Sequence, residues 1–210
     1  MASPLAVYAD MLERPHQLSL ARATDGSAWR PRVERWTRQA DAVDERALAG
    51  LVGPVLDVGC GPGRHLCALA RRGIAALGVD VSPTAVALAT VAGARAMVGS
   101  IFEEVPQAGH WGSALLLDGN IGIGGSPERL LSRVAELLAP GGQILVELAA
   151  PWRPTVRTRV RLETLRAASE WFDWAEVSQA DADRLLGETG LMVVDRWHEH
   201  DRWFVVAARD

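Results

Sequence analysis

A glycine-rich run in the first half of the chain is the part of the sequence best suited to binding chemistry. The apolar residues Val55–Val58 predict a buried strand, glycines follow at Gly59, Gly61 and Gly63, and a helix is predicted from Arg64. Glycines permit a sharp turn and let a ligand lie against bare backbone. The start of the helix offers free N–H groups to an anionic group. This unit predicts a ligand site at the carboxyl edge of a parallel sheet.

A carboxylate ends the next predicted strand, residues 75–79. This residue is Asp80, and it follows Gly63 by 17 positions. An acid in that place can accept hydrogen bonds from both hydroxyls of a ribose. The glycine loop and the acid together predict a cofactor that contains a nucleoside, without deciding which one.

The spacing of the glycines narrows the choice of cofactor. Asp57 leads into a G-x-G-x-G run, which resembles motif I of the class I S-adenosylmethionine-dependent methyltransferases. Asp80 matches the ribose-binding acid of that family, and residues 140–142 (Pro-Gly-Gly) match the turn before its fifth strand. The resemblance covers about residues 51–148. It implies S-adenosylmethionine as cofactor and an α/β, Rossmann-like fold. That fold has a seven-stranded, mostly parallel sheet of order 3-2-1-4-5-7-6, an antiparallel last strand and helices on both faces.

The chain departs from the family pattern after the third strand. Ser100 stands where an acid near the adenine is common, and Ile101 follows it. Ser100 can still accept a hydrogen bond from the adenine amino group, and Ile101 can pack on the ring. The cofactor-binding residues expected from the resemblance share the carboxyl edge of the sheet or a lid above it: Tyr8, Asp57, Gly59, Cys60, Gly61, Gly63, Asp80, Val81, Ser100, Ile101, Asp118 and Asn120.

A second glycine-rich segment, residues 115–125, follows an apolar strand at the same predicted edge and contains Asp118 and Asn120. One interpretation is a turn that needs room. The other is that Asp118 and Asn120 line the methionine end of the cofactor and the reaction centre, with the glycines letting the backbone approach. Asp118 is then either a residue that orients the cofactor or the general base.

His198 and His200 are two further candidates for a general base. They flank Glu199 between two predicted closing strands, in a loop that the resemblance places on the substrate side. A solvated turn is the alternative interpretation. Tyr8 also has two interpretations, a lid residue over the sulfonium or a packed surface tyrosine.

Composition excludes several classes of function. The hydrophobic share of 49% and the charged share of 23% are typical of a globular domain. A net charge of −4 disfavours nucleic-acid partners. All 22 basic residues are arginine, which excludes a Schiff-base lysine and a P-loop. We expect no metal site, no membrane partner, a cytoplasmic protein and a monomer or homodimer.

The chain is expected to form one domain, residues 1–210, with four segments. Residues 1–50 form an N-terminal lid and hairpin, 51–148 the cofactor-binding core, 149–178 a substrate-side insertion, and 179–210 a closing helix and strand pair. The insertion contains Arg157, Arg159 and Arg161, which would share one face of a strand. That face is either solvated or contacts an anionic group of the substrate.

The sequence is compatible with three functions. The first is metal-independent, in-line methyl transfer to an oxygen or nitrogen of a small molecule. The second is an NAD(P)-dependent oxidoreductase, because a glycine loop and a ribose acid suit both cofactors. The third is a protein that binds S-adenosylmethionine without catalysis.

Overall fold

A computed structural model describes residues 1–209. The first fifty residues form two short strands and three helices. Ser3 caps the first helix by accepting from the Ala6 N–H at 3.2 Å. Two of the helices, the first and the second, were not predicted from the sequence. The elements of this region are α1 (Pro4–Glu13), β1 (Ser19–Ala23), β2 (Ala28–Trp29), α2 (Val33–Trp36) and α3 (Ala42–Ala47).

The central region alternates strands and helices as predicted. Ser82 begins its second helix, with its hydroxyl accepting from the Ala85 N–H at 3.2 Å. The elements are β3 (Val55–Val58), α4 (Arg64–Arg71), β4 (Ala76–Asp80), α5 (Pro83–Val91), β5 (Ala96–Val98), β6 (Trp111–Leu116), α6 (Pro127–Leu137) and β7 (Leu138–Leu148). The last part of the chain adds β8 (Val156–Thr164), β9 (Phe172–Glu176), α7 (Ala182–Gly187), β10 (Leu191–Glu199) and β11 (Arg202–Arg209).

Seven strands form the core sheet in the order β10-β11-β7-β6-β3-β4-β5. β11 runs antiparallel to both of its neighbours, and the β3, β4, β5, β6 and β7 pairings are parallel. Counted along the core sheet, this is the order 3-2-1-4-5-7-6, so the predicted fold is confirmed. Because β3, β4 and β6 are parallel neighbours, the glycine loop, Asp80 and Asp118 all leave the sheet at one edge.

Alternation along the strands separates two apolar layers. Leu56 and Leu116 pack with Leu130 of α6, whereas Val55 and Leu115 pack with helix α4 on the other face. Successive strand residues point to opposite faces, so one buried strand serves both layers. The helices therefore cover both faces of the core sheet, as predicted.

The second sheet has four antiparallel strands in the order β2-β1-β8-β9. It joins the N-terminal hairpin to the insertion, since Ala21 pairs with Leu162 and Val160 pairs with Phe172. The sequence predicts these two segments as separate units, and the structure joins them in one sheet. Helix α1 packs beside this sheet, with Val7 and Met11 in one apolar cluster with Ala85 of α5.

The arginines of β8 are paired with carboxylates. Arg157 contacts Glu128, Arg161 contacts Glu163 at 2.6 Å, and Arg159 lies 3.7 Å from Asp173. This face of the second sheet is a solvated set of ion pairs, which is the first of the two interpretations above. Among residues 1–209, no helix has the length and apolar character needed to cross a membrane.

Candidate active site

The three motif glycines are required for different reasons. A Cβ on Gly63 would lie 2.8 Å from the Ala89 Cβ, so this glycine permits close packing of α4 and α5. A Cβ on Gly59 would lie 2.8 Å from the amide nitrogen of Asn120. Gly61 has φ +53°, and the nearest atom to its Cβ position is the Tyr8 hydroxyl at 3.4 Å. Of the three, Gly61 is the one that leaves room for a ligand.

Asp80 shapes this loop from the end of β4. Its Oδ2 accepts from the Gly61 N–H at 2.9 Å, and its Oδ1 accepts from the Ser82 N–H at 2.8 Å. Burial raises the pKa of Asp80, and the two backbone hydrogen bonds oppose that shift. Each oxygen has a second lone pair that a ribose hydroxyl can use. Val81, which follows, is half exposed at the same edge.

Tyr8 brings helix α1 over the loop. Its ring packs edge-on against Trp36, with centroids 6.1 Å apart. Burial raises the pKa of Tyr8 well above its usual value, and the charges of Asp80 and Asp118 raise it further. The hydroxyl is therefore protonated at neutral pH and able to donate. Its position above Gly61 agrees with the lid interpretation rather than with a surface tyrosine.

Asn120 fixes the glycine loop in place. Its side-chain NH₂ donates to the carbonyls of Val58 at 2.8 Å and Gly59 at 2.9 Å.

The glycines of the loop that follows have a different role from the predicted one, which is to let the backbone approach the cofactor. A Cβ on Gly125 would lie 2.7 Å from the Asp173 Cβ, and a Cβ on Gly122 would overlap the backbone and indole of β9. These glycines make room for the second sheet.

Asp118 lies just after β6 with φ +55°. Its backbone N–H donates to Glu147 at 2.9 Å, and its carboxylate accepts from Arg64 Nη2 at 2.9 Å. Burial alone would raise the pKa of Asp118, but the charges of Arg64 and His65 outweigh it and lower the pKa. Asp118 is therefore a carboxylate with one firmly held cation and with 18% of its side chain exposed.

Five residues at this edge form a closed set of contacts, which the Asp118 backbone N–H completes by donating to Glu147. We call them the charge ring: Asp118, Arg64, Asp44, Arg202 and Glu147. Arg64, which holds Asp118, also has its Nε 3.0 Å from Asp44 Oδ2. Asp44 Oδ1 in turn accepts from Arg202 Nη1 at 2.8 Å. Arg202 then donates two bonds to Glu147, at 2.8 and 2.7 Å. Asp44 is fully buried, and the side chains of Arg64 and Arg202 are 3% and 4% exposed.

The charge ring is not predicted from the sequence, although the sequence contains two signals for it. Glu147 is a charge within an apolar strand, which requires a partner when buried. Asp41 and Asp44 form a capping box that begins α3. Neither signal identifies the oppositely charged residue that each carboxylate contacts, because the five residues come from elements far apart in the chain.

Asp57 and Cys60 are buried beneath the loop. Asp57 Oδ2 has no hydrogen-bond partner among the residues described and lies 3.8 Å from His65 Nδ1. The Cys60 thiol packs near Leu66 and Gly78, and burial raises its pKa. Both side chains are buried, so neither is accessible to a ligand in the structure as it stands.

Ser100 and Ile101 differ in exposure. The Ser100 hydroxyl accepts from the Phe102 N–H at 3.2 Å and is partly accessible. Ile101 is 3% exposed and belongs to the apolar core. Of these two candidates for the adenine site, the structure leaves Ser100 accessible and places Ile101 in the core.

His198 and His200 lie at the same edge but away from Asp118. Three strand spacings of about 4.8 Å, roughly 14 Å, separate β10 from β6 in the sheet. His198 stacks on Trp203, with centroids 5.9 Å apart, and the His200 side chain is 76% exposed. The structure does not bring these histidines together with the other predicted site residues. Within residues 1–209, no group of three or more His, Cys, Asp or Glu side chains is arranged to hold a metal ion.

Comparison with known proteins shows which proteins this chain is similar to. A family model described as a methyltransferase domain matches residues 55–142. No curated protein sequence matches the chain significantly. Among solved structures, a SAM-dependent methyltransferase from Bacteroides fragilis in complex with S-adenosyl-L-homocysteine has a TM-score of 0.79 at 21% identity, over 98% of this chain and 94% of that one.

Two further structures have the same fold along nearly the whole chain. The CcbJ methyltransferase from Streptomyces caelestis has a TM-score of 0.68 at 16% identity, covering 99% of each chain. The 1,6-didemethyltoxoflavin-N1-methyltransferase from Burkholderia thailandensis has a TM-score of 0.65 at 21% identity, over 100% of this chain and 91% of that one. The predicted resemblance is therefore confirmed: the chain carries a methyltransferase domain at residues 55–142 and has the fold of the class I S-adenosylmethionine-dependent methyltransferases, a family of enzymes.

Proposed function

We propose that this protein transfers a methyl group from S-adenosylmethionine to an oxygen or nitrogen atom of a small molecule, in line and without a metal. The observation that carries the proposal is the surroundings of Gly61. Its open side faces the Tyr8 hydroxyl, and its N–H is held by Asp80. A family model for methyltransferases matches the same segment of the chain.

The residues at this edge fit the parts of the cofactor. Asp80 has free lone pairs for the ribose hydroxyls, and the accessible Val81 and Ser100 would flank the adenine. Asp118, a carboxylate that is 18% exposed at this edge, suits the positively charged amino group of the methionine part. When bound, S-adenosylmethionine supplies a methyl group that is already activated on a sulfonium.

The protein must then align the methyl group of the cofactor with the acceptor atom. Correct positioning of reactants can supply roughly 7–11 kcal/mol of a reaction barrier. Asn120 fixes the loop through two backbone carbonyls, and Arg64 fixes the carboxylate of Asp118. Because Arg64 lowers the pKa of Asp118, this carboxylate is a weak proton acceptor. We therefore assign Asp118 to orienting the cofactor rather than to base catalysis.

A small-molecule acceptor agrees with the net charge and with the structural neighbours. A charge of −4 disfavours a nucleic-acid substrate. The Burkholderia thailandensis structure contains 1,6-didemethyltoxoflavin, and another neighbour is described as a glycopeptide N-methyltransferase. The second sheet, α1 and α2 lie around the site and would enclose such an acceptor.

Calorimetric titration with S-adenosylhomocysteine and, separately, with NAD tests the proposal. We expect the first to bind and the second not to bind. Gly61→Val should abolish binding, because its side chain would fill the space below Tyr8. Gly73→Val is a matched control, since Gly73 also has positive φ (+69°) with nothing within 4 Å of its Cβ position.

Binding of NAD alone would reverse the assignment in favour of an oxidoreductase. Binding of S-adenosylhomocysteine to the folded Gly61→Val variant with unchanged affinity would remove the glycine loop from the site. Tight binding without methyl transfer to a broad panel of acceptors would favour a non-catalytic binding protein.

A further inference from the structure

A cavity of about 300 Å³ lies between the end of α1, the start of β1 and helix α2. Its volume is at the lower end of the range for small-molecule sites. The lining is strongly basic and comes from one short stretch of chain together with two flanking residues. The lining residues are Pro15, Ser19, Arg30, Pro31, Arg32, Val33, Glu34, Arg35 and Arg38, and we call this site the arginine cavity.

The positive charge of the arginine cavity is incompletely balanced. Glu34 is the one carboxylate in the lining, and it lies 3.8 Å from Arg30 and 3.5 Å from Arg38. Arg32 pairs with Asp201, outside the cavity. The four guanidinium groups thus share three carboxylates, and the third, Asp44, is itself shared with Arg64 and Arg202. Such a concave, basic surface attracts an anion and raises its local concentration.

Arg35 has hydrogen-bonding capacity that the protein does not use. Its side chain is 17% exposed, and one Nη donates to Asp44 at a long 3.3 Å. Its Nε is buried and has no hydrogen-bond partner among the residues described. A guanidinium group presents five donors in a planar fork that matches the two oxygens of a carboxylate or phosphate. The exposed 17% of this side chain belongs to the lining of the arginine cavity, where an anionic oxygen can contact it.

The arginine cavity is next to the proposed methyl-transfer site. The Arg35 carbonyl accepts from Arg64 Nη1 at 3.1 Å, and the Arg64 side chain holds Asp118. Trp36, the next residue, packs against the Tyr8 ring. A molecule held by Arg35 would therefore extend toward Tyr8 and the loop at Gly61.

We propose that the arginine cavity binds an anionic oxygen group of the methyl acceptor, a carboxylate or a phosphate, with Arg35 as its inner contact. This rests on the proposed methyltransferase function and adds the substrate class. The acceptor is then an organic acid or phosphate ester with its nucleophilic atom at the end away from the anionic group. A neutral analogue of the same shape would leave the arginines without a partner and bind weakly.

Fluorine NMR titrations test this with three probes of similar size. The probes are 3-fluorobenzoate, 3-fluorophenyl phosphate and the neutral 3-fluorobenzamide, each measured with and without saturating S-adenosylhomocysteine. We expect one or both anions to bind and the amide not to bind; the tighter anion identifies the group. Arg35→Gln should weaken the anion about tenfold, the scale of a lost charge-assisted hydrogen bond.

Replacing Arg35 also removes its contact with Asp44, which belongs to the charge ring. A second variant therefore changes the cavity without removing that contact. The double variant Arg30→Gln/Arg38→Gln changes two exposed side chains and should weaken the anion about threefold or more. Arg95→Gln, another exposed arginine, should have no effect. Equal binding of the amide, or unchanged anion affinity in both cavity variants, overturns the proposal.

The same samples separate this inference from the proposed function. Absence of S-adenosylhomocysteine binding contradicts the proposed function, whatever the benzoate does. Competition between S-adenosylhomocysteine and the anionic probe overturns the inference instead, because the cavity would then receive part of the cofactor. Simultaneous binding of both supports the inference.

Discussion

The core sheet and the second sheet are built from the chain in different ways. Five neighbouring core strands come from the continuous stretch 55–148, and each is followed by its own helix or loop. The second sheet pairs Ala21 with Leu162, which are 141 positions apart. The core sheet carries the glycine loop and Asp80, whereas the second sheet and α2 surround the proposed acceptor side. The difference teaches that the edge carrying the glycine loop is built from local contacts, whereas the second sheet beside it depends on pairing between distant segments.

Asp44 is the fully buried carboxylate of the charge ring, and its replacement should have the largest effect. It lies in α3 and contacts Arg64 and Arg202 of the core. Asp44→Asn leaves two buried guanidinium groups short of a carboxylate, so the free energy of unfolding should fall by about 3–5 kcal/mol. Urea unfolding followed by circular dichroism measures it. Asp195→Asn, an exposed change, is the control, and a loss below about 1 kcal/mol at Asp44 would contradict the role of the charge ring.

Acid should act on the same contacts. Burial raises the pKa of Asp44, but its contacts with His65, Arg64 and Arg202 outweigh burial and hold the pKa well below its usual range. The unfolded chain therefore takes up the proton first, near an Asp pKa of about 3.9. The stabilisation is present above that pH and is lost as the pH falls. The Asp44→Asn variant should show a shallower loss of stability in acid than the wild type.

Asp80→Ala tests the core side of the comparison alone. The variant loses the carboxylate that holds the Gly61 N–H and that we assign to the ribose. The binding free energy of S-adenosylhomocysteine should weaken by about 1.5–3 kcal/mol, with the fold retained. Calorimetry measures the affinity, and Asp25→Ala in the exposed hairpin turn is the control. A change of less than twofold would mean that the ribose is held elsewhere.

Gly122→Ala tests the contact between the two regions. The new methyl group would overlap the backbone of Ala175 and the Trp174 indole in β9. Overpacking of this kind costs about 1–3 kcal/mol of unfolding free energy. Gly50→Ala is the matched control, because nothing lies within 4 Å of its Cβ position. Equal stability of the two variants would show that the second sheet is not packed against this loop.

The smallest effect is expected from Asp118→Asn, which sharpens the role of the charge ring. If Asp118 orients the cofactor, the affinity of the variant for S-adenosylhomocysteine should fall about tenfold, or ~1.4 kcal/mol. The single-turnover rate of methyl transfer should fall by a similar factor. Unchanged affinity with a rate loss of about 10²–10⁴-fold would identify a general base and contradict our assignment.

The sequence predicts the core sheet well because its signals are local. The glycine spacing around Gly61, the cap at Ser82 and the apolar strands each specify structure within a few residues. The second sheet and the charge ring depend on pairings between distant segments, such as Arg202 with Asp44, which no local pattern encodes. For the same reason the sequence does not predict that the Asn120 side chain holds the loop backbone.

A crystal structure of the protein grown with S-adenosylhomocysteine tests the central claim most directly, because it shows which region binds the cofactor. We predict electron density for the ligand along the carboxyl edge of β3, β4 and β6, against Gly61 and beneath Tyr8. Its ribose should contact Asp80 and its amino group should face Asp118. Density in the arginine cavity or on the second sheet, with the glycine loop empty, would contradict the account.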